Sequence, residues 1–114
     1  MQFVRMYTGL DSRSHFEDLP LPSHAPGETS PLSLPQFKAA ILRRGIKSVD
    51  RWQNAPLRQY VITLAGRIEI ETSDGEKRVF GPGDILLTED VQGEGHRVRV
   101  IGEEERVALS LHLA

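Results

Sequence analysis

Residues 59–87 read QYVITLAGRIEIETSDGEKRVFGPGDILL, and this stretch decides the fold. Gln59–Ala65 is rich in β-branched and aromatic residues and stops at Gly66, as a strand does. Arg67–Thr72 alternates polar and apolar side chains, which puts Ile68 and Ile70 on one face. Ser73-Asp74-Gly75 is a hairpin turn, because Asp and Gly tolerate positive φ. Glu76–Phe80 returns as the partner strand, Gly81-Pro82-Gly83-Asp84 turns the chain again, and Ile85-Leu86-Leu87 is a short buried strand.

The same grammar continues outward. His96–Ile101 (HRVRVI) alternates, so His96 faces inward with Val98 and Val100 while Arg97 and Arg99 point out. In 106–113 (RVALSLHL), Val107, Leu109, Leu111 and Leu113 share a parity that reads as the inner face, with His112 outside. Glu103-Glu104-Glu105 reads as a solvated turn between these strands. Upstream, FKAAILRRG (37–45) fits a short helix or a strand, and periodicity does not arbitrate over so short a run. Residues 1–8 read as a short strand with Phe3 and Met6 partly buried. Residues 17–35 hold five of the seven prolines, so they form an extended or looped arm, either wrapping the body or lying over a pocket as a lid. Many short strands at such spacing argue an all-β sandwich or barrel.

Composition bounds the function. The 114 residues suit one domain. Fourteen Lys and Arg against sixteen Asp and Glu give a formal charge of −2, which offers no electrostatic footprint for nucleic acid or an anionic membrane. With no cysteine, disulfides, thiolate zinc sites and cysteine catalysis are excluded. No apolar run matches a signal-peptide core or the roughly 20 residues of a membrane span, so a soluble cytoplasmic protein is the expectation.

The hairpin, the Gly81–Asp84 turn and Gly93-Glu94-Gly95-His96 follow one another as they do in cupins. From Trp52 to about Leu113 the chain resembles the cupin superfamily. The resemblance implies an all-β fold, a cupin-type jelly-roll barrel with a proline-rich N-terminal arm. One domain, 1–114, would comprise an N-terminal strand and arm (1–35) and a barrel body (36–114). It also implies a homodimer, with residues 37–42 or the N-terminal strand as the contact. It does not fix a reaction, because the superfamily includes oxygenases, isomerases, decarboxylases, lyases, hydrolases and binding proteins.

The superfamily's first motif, G-x5-H-x-H-x3,4-E-x6-G, usually supplies three metal ligands. Counting back from Gly66, its glutamate position holds Gln59, and its histidine positions hold Gln53 and Ala55, or Trp52 and Asn54 with the longer spacer. The second motif, G-x5-P-x-G-x2-H-x3-N, matches at Gly83 and at Gly93 to His96, with two extra residues between and Val100 in place of the asparagine. Of the customary ligands only His96 is present. Neutral amides are weak metal donors, so no metal or other cofactor is expected, and Gln53 and Gln59 read as hydrogen-bonding groups for a polar ligand.

The candidate residues follow. His96 is the acid/base candidate, since its ordinary pKa of about 6.5 suits neutral pH. Asp90, or His15 if the arm reaches the barrel mouth, is the candidate second proton-transfer group. Gln53, Gln59, Trp52, Tyr60 and Arg43 are the ligand-binding candidates, Arg43 as a carboxylate clamp. Each also has a plain role as core or solvated surface. Three functions remain open: metal-independent proton transfer on a small molecule by an isomerase, dehydratase, cyclase or lyase, a small-molecule binding or sensing protein without turnover, and a metal-dependent enzyme with atypical ligands.

Overall fold

The computed structural model describes residues 1–45 and 47–114. Ten strands make up its regular structure: β1 (Phe3–Thr8), β2 (Ser14–Asp18), β3 (Phe37–Arg44), β4 (Val49–Gln53), β5 (Gln59–Ala65), β6 (Arg67–Thr72), β7 (Lys77–Phe80), β8 (Ile85–Thr88), β9 (His96–Ile101) and β10 (Val107–Leu113). No helix occurs among the described residues, so none there is long and apolar enough to cross a membrane. The 37–45 stretch, open between helix and strand, is β3. It lies at a sheet edge and is mostly exposed, which accounts for its weak pattern.

The strands form two sheets. The six-stranded sheet has the order β2-β1-β8-β5-β10-β3 and the four-stranded sheet β4-β9-β6-β7. Among the described residues no ladder joins the sheets, so the expected barrel is an open pair of sheets. From β3 onward the antiparallel pairs are nested: β6 with β7, β5 with β8, β4 with β9 and β3 with β10. The Ser73–Gly75 hairpin is therefore the centre of the chain's path. Gly75 takes φ 99° there and donates its N–H to Thr72 O at 3.0 Å.

The core lies between the sheets. Val4, Met6 and Leu86 from the larger sheet meet Ile68, Ile70 and Phe80 from the smaller, with Phe16, Val98 and Val100 packed around them. A second cluster covers the opposite, outer face of the larger sheet, where Phe3, Tyr60, Leu87 and Leu113 pack with Leu19, Leu34, Ile85 and Leu111. Leu19 and Leu34 bracket the proline-rich stretch, so its two ends wrap the outer face of the sheet. The short strand expected in residues 1–8 is β1, which runs parallel to β8 inside the larger sheet, whereas residues 14–18 add a second strand, β2, that was not expected. β2 escaped the sequence because SHFED is an edge strand with only Ser14 fully buried.

Asp84 fastens β1 to the turn before β8. Its Oδ1 accepts the Gln2 backbone N–H at 2.6 Å, and its Oδ2 accepts the Gly81 N–H at 2.8 Å. Burial would raise this carboxyl's pKa, but the N–H groups of Gly81 and Gln2 outweigh it and hold the pKa below its ordinary 3.8. Asp84→Asn is expected to lose about 1–3 kcal/mol at neutral pH. Because the folded pKa is depressed, this contribution is complete above the unfolded value and is lost as pH falls through the folded one. Urea denaturation should show a gap between wild type and variant at pH 7 that narrows at pH 3.

Candidate functional site

A cavity of about 320 Å³ opens between the sheets. Its walls are apolar on both sides, with Val61 and Leu86 facing Ile68, Ile70 and Val98. Its polar groups are placed by strand alternation. Gln59 on β5 and Thr88 on β8 are direct partners in the larger sheet, and Gln53 on β4 pairs with His96 on β9 in the smaller. All four line the cavity. The inward direction of His96 expected from sequence is the one observed, and its side chain is 8% exposed.

His96 Nδ1 faces Asp90 Oδ2 at 2.5 Å, and Asp90 is fully buried. A carboxylate oxygen facing an imidazole nitrogen is the contact that an Nδ1–H tautomer of histidine makes. Nε2 has no protein hydrogen-bond partner among the described residues and is left for the cavity. Asp90 Oδ1 is buried and unpartnered among the described residues. The loop that carries Asp90 is held by its backbone: Asp90 O accepts from Ala55 N at 3.2 Å and from Asn54 Nδ2 at 3.2 Å. Asn54 Nδ2 also reaches Gly93 O at 3.2 Å, tying both ends of the 89–95 loop to β4. Gly93 and Gly95, at φ 84° and 79°, let that loop pass against Ser12 and Gln53.

The structure gathers some of the sequence candidates and separates others. His96, Asp90, Gln53 and Gln59 converge, and Arg43 joins the cavity lining. Tyr60 does not: it follows Gln59 and so points to the outer face, buried against Phe3 at a ring distance of 6.3 Å. Trp52 precedes Gln53 and is likewise turned outward, 45% exposed with Arg97 over its ring. Alternation forbids adjacent strand residues from sharing one pocket. His15 stands on β2, away from the cavity lining, with its Nε2 2.9 Å from Asp11 and its Nδ1 3.1 Å from Asp74. The hydrogen bond to Asp11 raises its pKa above the ordinary value. Glu89 faces away from Asp90, between Arg5 and Arg58 at 2.6 Å each. No residue of 17–35 lines the cavity.

The last strand reverses its expected face. Ala108 and Ser110 line the cavity, whereas Leu111 and Leu113 pack in the outer cluster. His112 takes the parity of Ser110 and pairs with Gln59, not the outer position expected of it. The same reversal brings in Arg106, which sequence reasoning passed over. Arg106 is 3% exposed and lines the cavity. Its Nη1 donates to Thr63 Oγ1 at 2.9 Å, and its Nε has no partner among the described residues. Burial lowers its pKa to about 10, so it remains charged near neutral pH. The available signal was the run Arg106-x-Ala108-x-Ser110, in which two small side chains share a face with one long cation.

Among the described residues, no three His, Asp or Glu side chains converge as a metal-ligand group. The two acid/base candidates near the cavity, His96 and Asp90, are in contact with each other.

No protein-family model matches the sequence, and no curated protein is detectably similar to it. Among solved structures, the fold is similar to that of protein NMB1881 from Neisseria meningitidis, with a TM-score of 0.52 at 13% identity. The match covers 75% of this chain and 89% of that one. At that identity the likeness concerns the fold alone.

Proposed function

We propose that the chain is a small cupin-type protein whose cavity catalyses proton transfer on a small molecule, with His96 as the acid/base. The nested pairing of β3 to β10 supports the cupin reading, since eight strands folded back in that order are the arrangement of a jelly roll. One observation carries the catalytic reading: Asp90 engages Nδ1 of His96, leaving Nε2 for the cavity. A carboxylate behind an imidazole holds its tautomer and orientation and stabilises the imidazolium that forms. Asp90 is thus a positioning residue, not the second proton-transfer group.

His96 Nε2 takes a proton from carbon beside a carbonyl and returns it to another atom of the same molecule. The product is an isomer, or an elimination product when the returned proton leaves with a departing group. No oxidant is needed. Gln53 and Gln59 supply neutral N–H donors at the same cavity, suited to a carbonyl oxygen that gains charge. A homodimer through the outer face of the larger sheet fits the same proposal, because Phe37, Leu42 and Leu64 remain about half exposed or more.

The test is solvent-deuterium incorporation into a panel of small uncharged ketones, followed by NMR. Wild type is expected to accelerate exchange. His96→Asn should lower the rate by at least about 10²-fold, the usual worth of a positioned acid/base. Asp90→Asn should lower the rate and move its pH profile, which a purely structural role would not do. Exchange at the wild-type rate in His96→Asn would remove His96 as the acid/base, and no acceleration by wild type would leave a binding protein without turnover.

A further inference from the structure

We propose that the cavity takes a small monocarboxylic acid with a short apolar body, and that Arg106 is the residue that binds its carboxylate. The inference rests on reading the cavity as a small-molecule site. It adds the chemical class of the ligand.

A guanidinium is a costly group to bury alone. Charged side chains inside proteins are paired in nearly every case. Arg106 is 3% exposed, and among the described residues no carboxylate stands within salt-bridge distance of it. Its only side-chain partner there is the neutral Thr63 hydroxyl, and Nε keeps an unused N–H. The other arginines with a close acidic partner are all more exposed than Arg106, such as Arg44 on Glu105 and Arg97 on Asp50. The acidic run Glu103-Glu104-Glu105 immediately before Arg106 is exposed and supplies it with nothing. The chain thus has carboxylates in reach by sequence and keeps them out of the cavity.

The cavity's shape and charge select among anions. Arg43 lines the same space on β3, where its backbone partner is Ala108, the next inward residue after Arg106. One guanidinium offers a carboxylate two parallel N–H donors, and a second cation at the same lining adds attraction for an anion. A polyanion fits poorly, because among the described residues the rest of the lining offers neutral polar groups and apolar side chains and no further Lys or Arg. The walls of Val61, Ile68, Ile70 and Leu86 ask for an apolar body. The volume of about 320 Å³ is at the small end for ligand pockets.

The probes are straight-chain acids of four to eight carbons, each set beside its uncharged primary amide, titrated into the intact protein. At least one acid is expected to bind tenfold or more tightly than its amide. At about ten times its Kd it should raise Tm by roughly 5 °C or more. It should also shift the Nε–H resonance of Arg106 in the NMR spectrum. Arg106→Met should lose the acid preference while melting no lower than wild type in the absence of acid, because a buried unpaired charge has been removed. Equal binding of acid and amide would overturn the proposal, as would no binding of any acid at millimolar concentration, or unchanged acid affinity in Arg106→Met. Should the variant not fold, the acid-amide comparison and the Nε–H shift in wild type decide alone. These readouts involve no proton transfer, and the exchange assay with uncharged ketones involves no carboxylate. Failure of one proposal is therefore distinguishable from failure of the other.

Discussion

Phe80→Ala is expected to destabilise the folded chain by about 3–5 kcal/mol, the usual cost of deleting a buried phenyl ring. Phe80 ends β7 with 1% of its surface exposed. It packs with Ile68 and Ile70 of its own sheet against Val4, Met6 and Leu86 of the other, and its ring lies 5.9 Å from that of Phe16. The ring therefore bridges the sheets, and its loss opens a void that β-sheet backbones cannot readily close. Urea denaturation should show a lower midpoint with an unchanged slope. Val79→Ala is the matched control. Val79 is the preceding residue, points to the other face and is 41% exposed, so its loss should stay within about 0.5 kcal/mol. Similar effects for both variants would mean that the core is not where Phe80 lies.

Gly95→Ala is expected to cost about 2–5 kcal/mol and to displace His96 in the cavity wall. Gly95 has φ 79°, where an L side chain costs about 1–2 kcal/mol. A Cβ there would lie 2.4 Å from Gln53 O and 2.6 Å from Gln53 C. Those are backbone atoms, so relief requires β4 to move, and forced packing of this kind costs about 1–3 kcal/mol more. The movement strikes the site directly, since Gly95 precedes His96, and Gln53 is the partner of His96 across the ladder. Gly95 O also accepts the Ser14 hydroxyl at 2.6 Å, which anchors β2 to the same loop. Gly75→Ala separates the two costs: φ is 99°, but nothing lies within 4 Å of the added Cβ. It should cost only the backbone term of about 1–2 kcal/mol. Denaturation midpoints give the stabilities, and the His96 ring resonances report whether the site has moved.

Strand periodicity made much of the smaller sheet legible before the structure. In β6 and β9 one face is apolar and the other charged, so Ile68, Ile70, Val98 and His96 could be aimed inward and Arg97 and Arg99 outward. The turn residues were equally explicit. Gly81-Pro82-Gly83-Asp84 places Pro where φ is near −65° and Gly where it is positive, and Gly83 takes φ 89°. Gln53, Gln59 and His96, singled out in the sequence by motif spacing, line one cavity, with Asn54 beside Gln53 and Asp90 against His96.

The larger sheet was harder because it buries apolar side chains on both faces. Alternation gives the period of a strand and not its sign. In β10 the leucines read as the inner face, yet they belong to the outer cluster with Tyr60 and Leu87, which Leu19 and Leu34 help to cover. The inner face instead carries Ala108 and Ser110, whose small volumes leave the cavity open, and Arg106, whose charge looked like surface. Tyr60, Trp52 and His15 left the candidate site for related reasons: the first two are adjacent to residues that face inward, and the third is held by Asp11 and Asp74 on an edge strand.

Local chemistry thus determined where the strands and turns of residues 59–101 fall and that His96 faces in, because β-branched runs, Asp-Gly turns and period-two patterns act over a few residues. The partition into two sheets, the inner face of β10, the pairing of His96 with Asp90 and the burial of Arg106 were decided only by tertiary structure. Each depends on which distant segment covers a face, and a strand's own sequence carries no record of what lies above it.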